Sequence, residues 1–143
     1  MSIFEPSRSI WTQRMLSVLR IVAGLVFFMA GTQKLFGYPP FPAQVPNMGM
    51  PPMWEFHLAA YLEVFLGGAF LLGFLTRPVS FILAGEMAVA YFQFSFPLGF
   101  WPNTNWGVPA VLHCFIFLYF VFAGAGPWSV DAAIARSKRG SAI

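Results

Sequence analysis

Residues 15–36 read MLSVLRIVAGLVFFMAGTQKLF, and no charge falls between Arg20 and Lys34. An apolar run of about 20 residues, wound as a helix, spans the hydrocarbon core of a bilayer. The run is too long for the apolar region of a secretory signal, and no A-x-A cleavage site follows it, so it reads as a retained span. Three further runs follow at Phe56–Leu75, Val79–Phe96 and Val108–Ala125. Lipid offers no partner to bare backbone groups, which selects helices. The expected fold is all-α, a four-helix transmembrane bundle.

Composition points the same way. The 143 residues are 58% hydrophobic and 19% aromatic, with 9% charged. A soluble domain carries roughly 25% charged residues. The formal charge of +3 is spread in ones and twos, with no basic stripe of the kind nucleic-acid binding needs. Cys114 is the one cysteine, so an intrachain disulfide and a cysteine zinc site are both excluded. It reads as a small packing residue in an apolar run.

The connectors set the expected orientation. Residues 37–55 are rich in proline and hold no Lys or Arg. Residues 97–107, PLGFWPNTNWG, hold none either. Arg8, Arg14 and Arg20 lie at the start, Arg77 lies in the TRP turn at 76–78, and Arg136, Lys138 and Arg139 lie in the tail. The positive-inside rule then puts both termini in the cytoplasm. Trp54, Trp101 and Trp106 form an outer aromatic belt, and Trp11 and Trp128 an inner one. The chain divides into a cytoplasmic segment at 1–14, a membrane domain at 15–127 and a loosely ordered cytoplasmic tail at 128–143.

Ionisable groups at membrane depth are costly, and by default they suggest function. Glu63 lies roughly 10 Å in from the outer end of its helix and His113 roughly 8 Å in from the outer end of its own. Glu86 is nearest the middle, roughly 12 Å from the inner end, and Gln93 follows two turns on along the same face. Ala59, Ala60 and Gly67 share a face with Glu63 and mark close helix packing. Glu63 is expected to point inward, where Lys34 or His113 reaches it. Two readings stand beside each other. In one, these groups line a polar pocket in the outer half of the bundle. In the other, Lys34 and Arg20 snorkel to the headgroups and the rest are hydrogen-bond partners that fix helix register. His57 and Asn105 are outer-surface contributors to such a pocket. Met48, Met50 and Met53 with His57 form a weak Cu(I)-type set, thioether with imidazole, against the plainer reading that they pack a loop. No Gly-rich phosphate loop, CxxC pair, zinc helix signature or nucleophile elbow occurs.

The stretches LRIVAGLVFFMAGTQKLFG, EVFLGGAFLLGFLTRP, EMAVAYF, PLGFWP with Asn105, and FLYFVFAGAGPWSVDA together resemble the DoxX family of small bacterial and archaeal membrane proteins. The resemblance covers about residues 15–133. It implies a four-helix membrane bundle and an association with quinone-linked oxidation and with thiol or superoxide stress systems. The family's recurrent polar residues fall on Gln33, Lys34, Glu63, Glu86 and Asn105. The chain departs where family members often carry polar residues: Ala30 and Ser95 stand near histidine positions, and Val108 stands at a glutamate position. The expected function is a quinone- or redox-associated subunit of the cytoplasmic membrane. The alternatives are an assembly or scaffold subunit and, more weakly, copper handling. A quinone is the one ligand class implied, and no haem or flavin is. The expected partners are the lipid bilayer, a redox-complex protein and further copies of the chain in a homo-oligomer.

Overall fold

The computed structural model describes residues 9–43, 49 and 51–141. These residues form helices and connectors with no strand among them. Helix α1 runs Ile10–Phe36, α2 Met53–Leu72, α3 Thr76–Ala90, α4 Val108–Ala123 and α5 Val130–Gly140. After Ala90 the helical path of α3 continues through a π turn at Tyr91–Ser95 and a 3-10 turn at Phe96–Leu98. Three helical stretches, Ile10–Phe36, Met53–Leu72 and Thr76–Leu98, are long and apolar enough to cross a membrane, and Val108–Ala123 is apolar but shorter. The chain is a multi-pass membrane protein.

Helix α1 starts five residues before the predicted Met15. Ser9 sits outside the helix in an extended conformation, and its hydroxyl accepts from the Thr12 N–H at 3.3 Å. That is a serine N-cap, which satisfies one of the orphan donors of a first turn. Arg8, read as cytoplasmic, lies outside the described residues, as do Met48 and Met50.

Two further expectations are corrected. The TRP sequence is not a turn but the opening of α3. Proline fits a first helical turn because its missing N–H is not needed there. The chain reverses instead at Gly73, whose φ of 72° suits a residue without Cβ. Its N–H donates to the Phe70 carbonyl at 3.0 Å, and Phe74 N–H donates to the Ala69 carbonyl at 2.9 Å, which closes α2 as a Schellman motif. The tail, expected to be loose, forms α5. Ser129 caps it by accepting from Ala132 N–H at 3.1 Å, Asp131 lies in the first turn, and Lys138 and Arg139 lie in the last. Both charge placements suit the helix dipole.

Helix α1 packs on α2, α2 on α3, and α3 on α4. The α1–α2 contact depends on glycine. A Cβ on Gly24 would stand 2.8 Å from the Leu71 Cα, and one on Gly31 would stand 2.8 Å from the Glu63 Cβ and the Val64 backbone. Small residues permit this backbone approach where lipid provides no hydrophobic drive between helices. Ala23, Phe27, Phe70, Val79, Leu83, Phe117 and Phe120 fill the interior. Phe117 meets the rings of Phe27 and Phe70 edge-on at 5.0 and 4.9 Å, and Phe70 meets Phe120 at 5.1 Å. Edge-to-face rings are a favoured aromatic geometry.

Candidate functional site

Lys34, in the last turn of α1, and Glu63, in α2, form an ion pair through Lys34 Nζ and Glu63 Oε1. The lysine side chain is 25% exposed and the glutamate 3%. Lys34 therefore turns inward to a carboxylate instead of reaching outward to headgroups. Gly31, one turn before it, gives α2 the room to bring Glu63 alongside. The buried stripe Ala60, Glu63, Gly67 on α2 is the close-packed face that the small residues mark in the sequence.

The second carboxylate is Glu86 on α3. Both of its oxygens are buried and lack a hydrogen-bond partner among the described residues, and so does Glu63 Oε2. Glu86 lies within electrostatic range of Glu63 and of Lys34. His113 on α4 lies within range of Glu63 and rests against the rings of Phe27 and Phe117 at 5.8 and 5.9 Å. Its Nδ1 is 2.8 Å from the Pro109 carbonyl. A carbonyl only accepts, so Nδ1 carries the hydrogen, and in the neutral ring Nε2 is left as an acceptor. Four helices thus contribute one ionisable group each. The group holds one strong donor, Lys34, and an excess of acceptors.

The other expected contributors are placed elsewhere. Gln93 is exposed, and its Nε2 donates to Glu55 Oε2 at 2.6 Å. The two-turn spacing from Glu86 assumes an unbroken α-helix. The π turn begins at Tyr91, between the two residues, and its extra residue per turn rotates the face. Gln33 Nε2 donates to the Pro40 carbonyl at 3.2 Å and ties down the chain after α1. His57 is exposed, with Nδ1 2.7 Å from the Met53 carbonyl. Met53 is exposed as well. Asn105 is not at the surface but fully buried. Its Nδ2 donates to the Gly99 carbonyl at 2.7 Å and the Tyr91 hydroxyl at 3.3 Å, and its Oδ1 accepts from Gly107 N–H at 2.8 Å. Asn105 organises the 99–107 connector. Of the departures from the family pattern, Ser95 is buried in the π turn, and Val108 begins α4.

Sequence reasoning missed the role of Arg20. It does not snorkel; it is fully buried. Its Nε donates to the Leu71 carbonyl at 3.3 Å, Nη2 to the Trp128 carbonyl at 2.6 Å, and Nη1 to the Ala125 carbonyl. The guanidinium fork suits several acceptors at once. An arginine within an apolar run hints at burial, but nothing local in the sequence names its acceptors. Asp131 was missed too. Its two oxygens accept from Leu75 N–H at 2.8 Å and Thr76 N–H at 2.9 Å, capping α3 from α5.

A family model described as DoxX matches residues 15–95. An uncharacterized protein of Haemophilus influenzae is 38% identical over 120 residues, covering 81% of this chain and 87% of that protein. No solved structure matches. The family match covers the helices that carry Lys34, Glu63 and Glu86, and on that extent of agreement the chain belongs to the DoxX family.

Proposed function

We propose that the protein is a quinone- or redox-associated subunit of the cytoplasmic membrane. In this reading it crosses the bilayer four times, with both termini cytoplasmic and the Lys34–Glu63–Glu86–His113 group in the outer half. One observation carries it: Glu86 keeps two buried carboxylate oxygens without donors beside a second carboxylate already paired to lysine. Buried acceptors without partners are expensive, so a fold that retains them is suited to a ligand or a proton that completes them.

The donor and acceptor balance favours the reduced form of a quinone. A quinol presents two hydroxyl donors, which match the free oxygens of Glu86 and Glu63. When bound, it would supply two electrons and two protons, with the electrons passing to a partner redox protein. The chain's own residues hold the hydroxyls, accept protons at Glu86 Oε1 or Oε2 or at His113 Nε2, and keep Lys34 as a counter-charge. Phe27 and Phe117 supply the apolar wall that such a site needs.

The test is titration of a short-chain quinol into purified protein, followed calorimetrically. The wild type saturates, and Glu86→Gln weakens binding by about tenfold, the effect of one hydrogen bond lost at a buried group. Absence of binding by the wild type, or equal affinity in the variant, overturns the proposal. The second reading, a scaffold subunit, is favoured by the Arg20 contacts, which join α1 to the ends of α2 and α4 without any chemistry. It predicts that Glu86→Gln shifts melting temperature or complex yield while no quinol binds either form.

A further inference from the structure

At the end of the molecule that holds Arg20, a cleft of about 470 Å³ opens between the start of α3 and the chain leading from α4 into α5. Thr76, Arg77, Gly124, Ser129 and Asp131 help to line it. The backbone donors at the start of α3 can be accounted for one by one. Leu75 and Thr76 donate to Asp131. Val79 donates to the Leu75 carbonyl at 3.1 Å, and Pro78 has no N–H. The N–H of Arg77 remains, at the positive end of the helix dipole.

Two side-chain groups accompany it. The Arg77 side chain is exposed and makes no hydrogen bond or ion pair with another described residue. It runs across Gly124, where a Cβ would sit 3.7 Å from Nε and Nη2. Thr76 is 1% exposed, and its Oγ1 has no partner among the described residues. Both oxygens of Asp131 are already engaged by α3. Along α5, whose first turn borders the cleft, the exposed bases Arg136, Lys138 and Arg139 outnumber that single acid. Leu75 at the cleft is exposed, and so are Leu72, Phe74, Phe122 and Trp128, which lie within a few residues of the lining segments along the chain.

We propose that this cleft binds the phosphate of an anionic phospholipid headgroup. Arg77 contributes its guanidinium and backbone N–H, and Thr76 contributes its hydroxyl. The acyl chains lie along Leu72, Phe74 and Phe122. The donors are those that recognise phosphate. The basic helix beside them suits a negatively charged lipid surface, and the apolar rim favours a lipid over a soluble phosphate.

The full chain is placed in nanodiscs of phosphatidylcholine with a minor share of phosphatidylglycerol, released gently, and weighed by native mass spectrometry. The wild type retains phosphatidylglycerol in preference to phosphatidylcholine. Arg77→Gln reduces that retention about fivefold, the effect of one basic residue near an anionic surface. Thr76→Val also reduces it while preserving the shape of the side chain, which guards against a variant that merely folds poorly. Equal retention of both lipids by the wild type overturns the proposal, as does wild-type retention in Arg77→Gln. Inorganic phosphate added to pure phosphatidylcholine discs should leave the melting temperature unchanged. A rise that Arg77→Gln abolishes would assign the cleft to soluble phosphate and overturn the lipid reading.

Discussion

At the scale of single residues, Lys34 and Glu63 decide whether the candidate site is tolerated. Removing one partner of a buried pair leaves an uncompensated charge and costs about 3–5 kcal/mol, while replacing both with apolar or neutral groups is often near neutral. Lys34→Met alone should therefore lower the detergent melting temperature more than Lys34→Met combined with Glu63→Gln. Equal losses would show that the pair contributes nothing as a pair. The buried face of α2 was readable from sequence, because Glu63 sits with the small residues Ala60 and Gly67 that mark close packing. What Lys34 does was not readable. A lysine near a helix end reaches headgroups or a neighbouring helix equally well, and the choice depends on how close Gly31 lets α2 come. Arg20 illustrates the same limit: its acceptors lie 51, 105 and 108 residues away along the chain.

At the scale of elements, the long apolar helices follow from hydropathy, because each must close its own hydrogen bonds in lipid. The ends of helices are less regular. The TRP stretch at 76–78 reads as a turn, although proline belongs as readily inside a first helical turn, and the chain reverses at Gly73. Helix α5 is short and polar, so no apolar period announced it. Ser129 followed by Asp131, with Lys138 and Arg139 later, is nonetheless the capping and charge pattern of a helix. The π turn had no readable signature, and it carried Gln93 away from Glu86. Because Asp131 caps α3 across space, Asp131→Ala should destabilise the fold by about 1–2 kcal/mol, the range of a lost N-cap. Asp131→Asn, which keeps one acceptor oxygen, should recover part of that loss in thermal melts. Identical melts for wild type and Asp131→Ala would mean that the α3–α5 contact adds no stability.

At the scale of the whole molecule, charge is unevenly distributed along the helix axes. Arg14, Arg20, Arg77, Arg136, Lys138 and Arg139 all belong to one end, whereas the connectors at the other end are proline-rich and aromatic. If that bias sets orientation, green fluorescent protein fused after residue 143 should fluoresce and alkaline phosphatase fused there should be inactive. The reverse pattern would invert the topology and the side assigned to Glu86. The Arg20 contacts also have a bearing on biogenesis. The cation enters with α1, but its acceptors at Ala125 and Trp128 are synthesised 105 and 108 residues later. During translation the nascent chain must therefore keep this guanidinium hydrated or otherwise sheltered at the translocon. The contacts of the guanidinium are complete only when the segment after α4 docks over it, so a ribosome that stalls before residue 125 releases a product whose guanidinium keeps the Leu71 acceptor alone, a feature that membrane quality control can recognise.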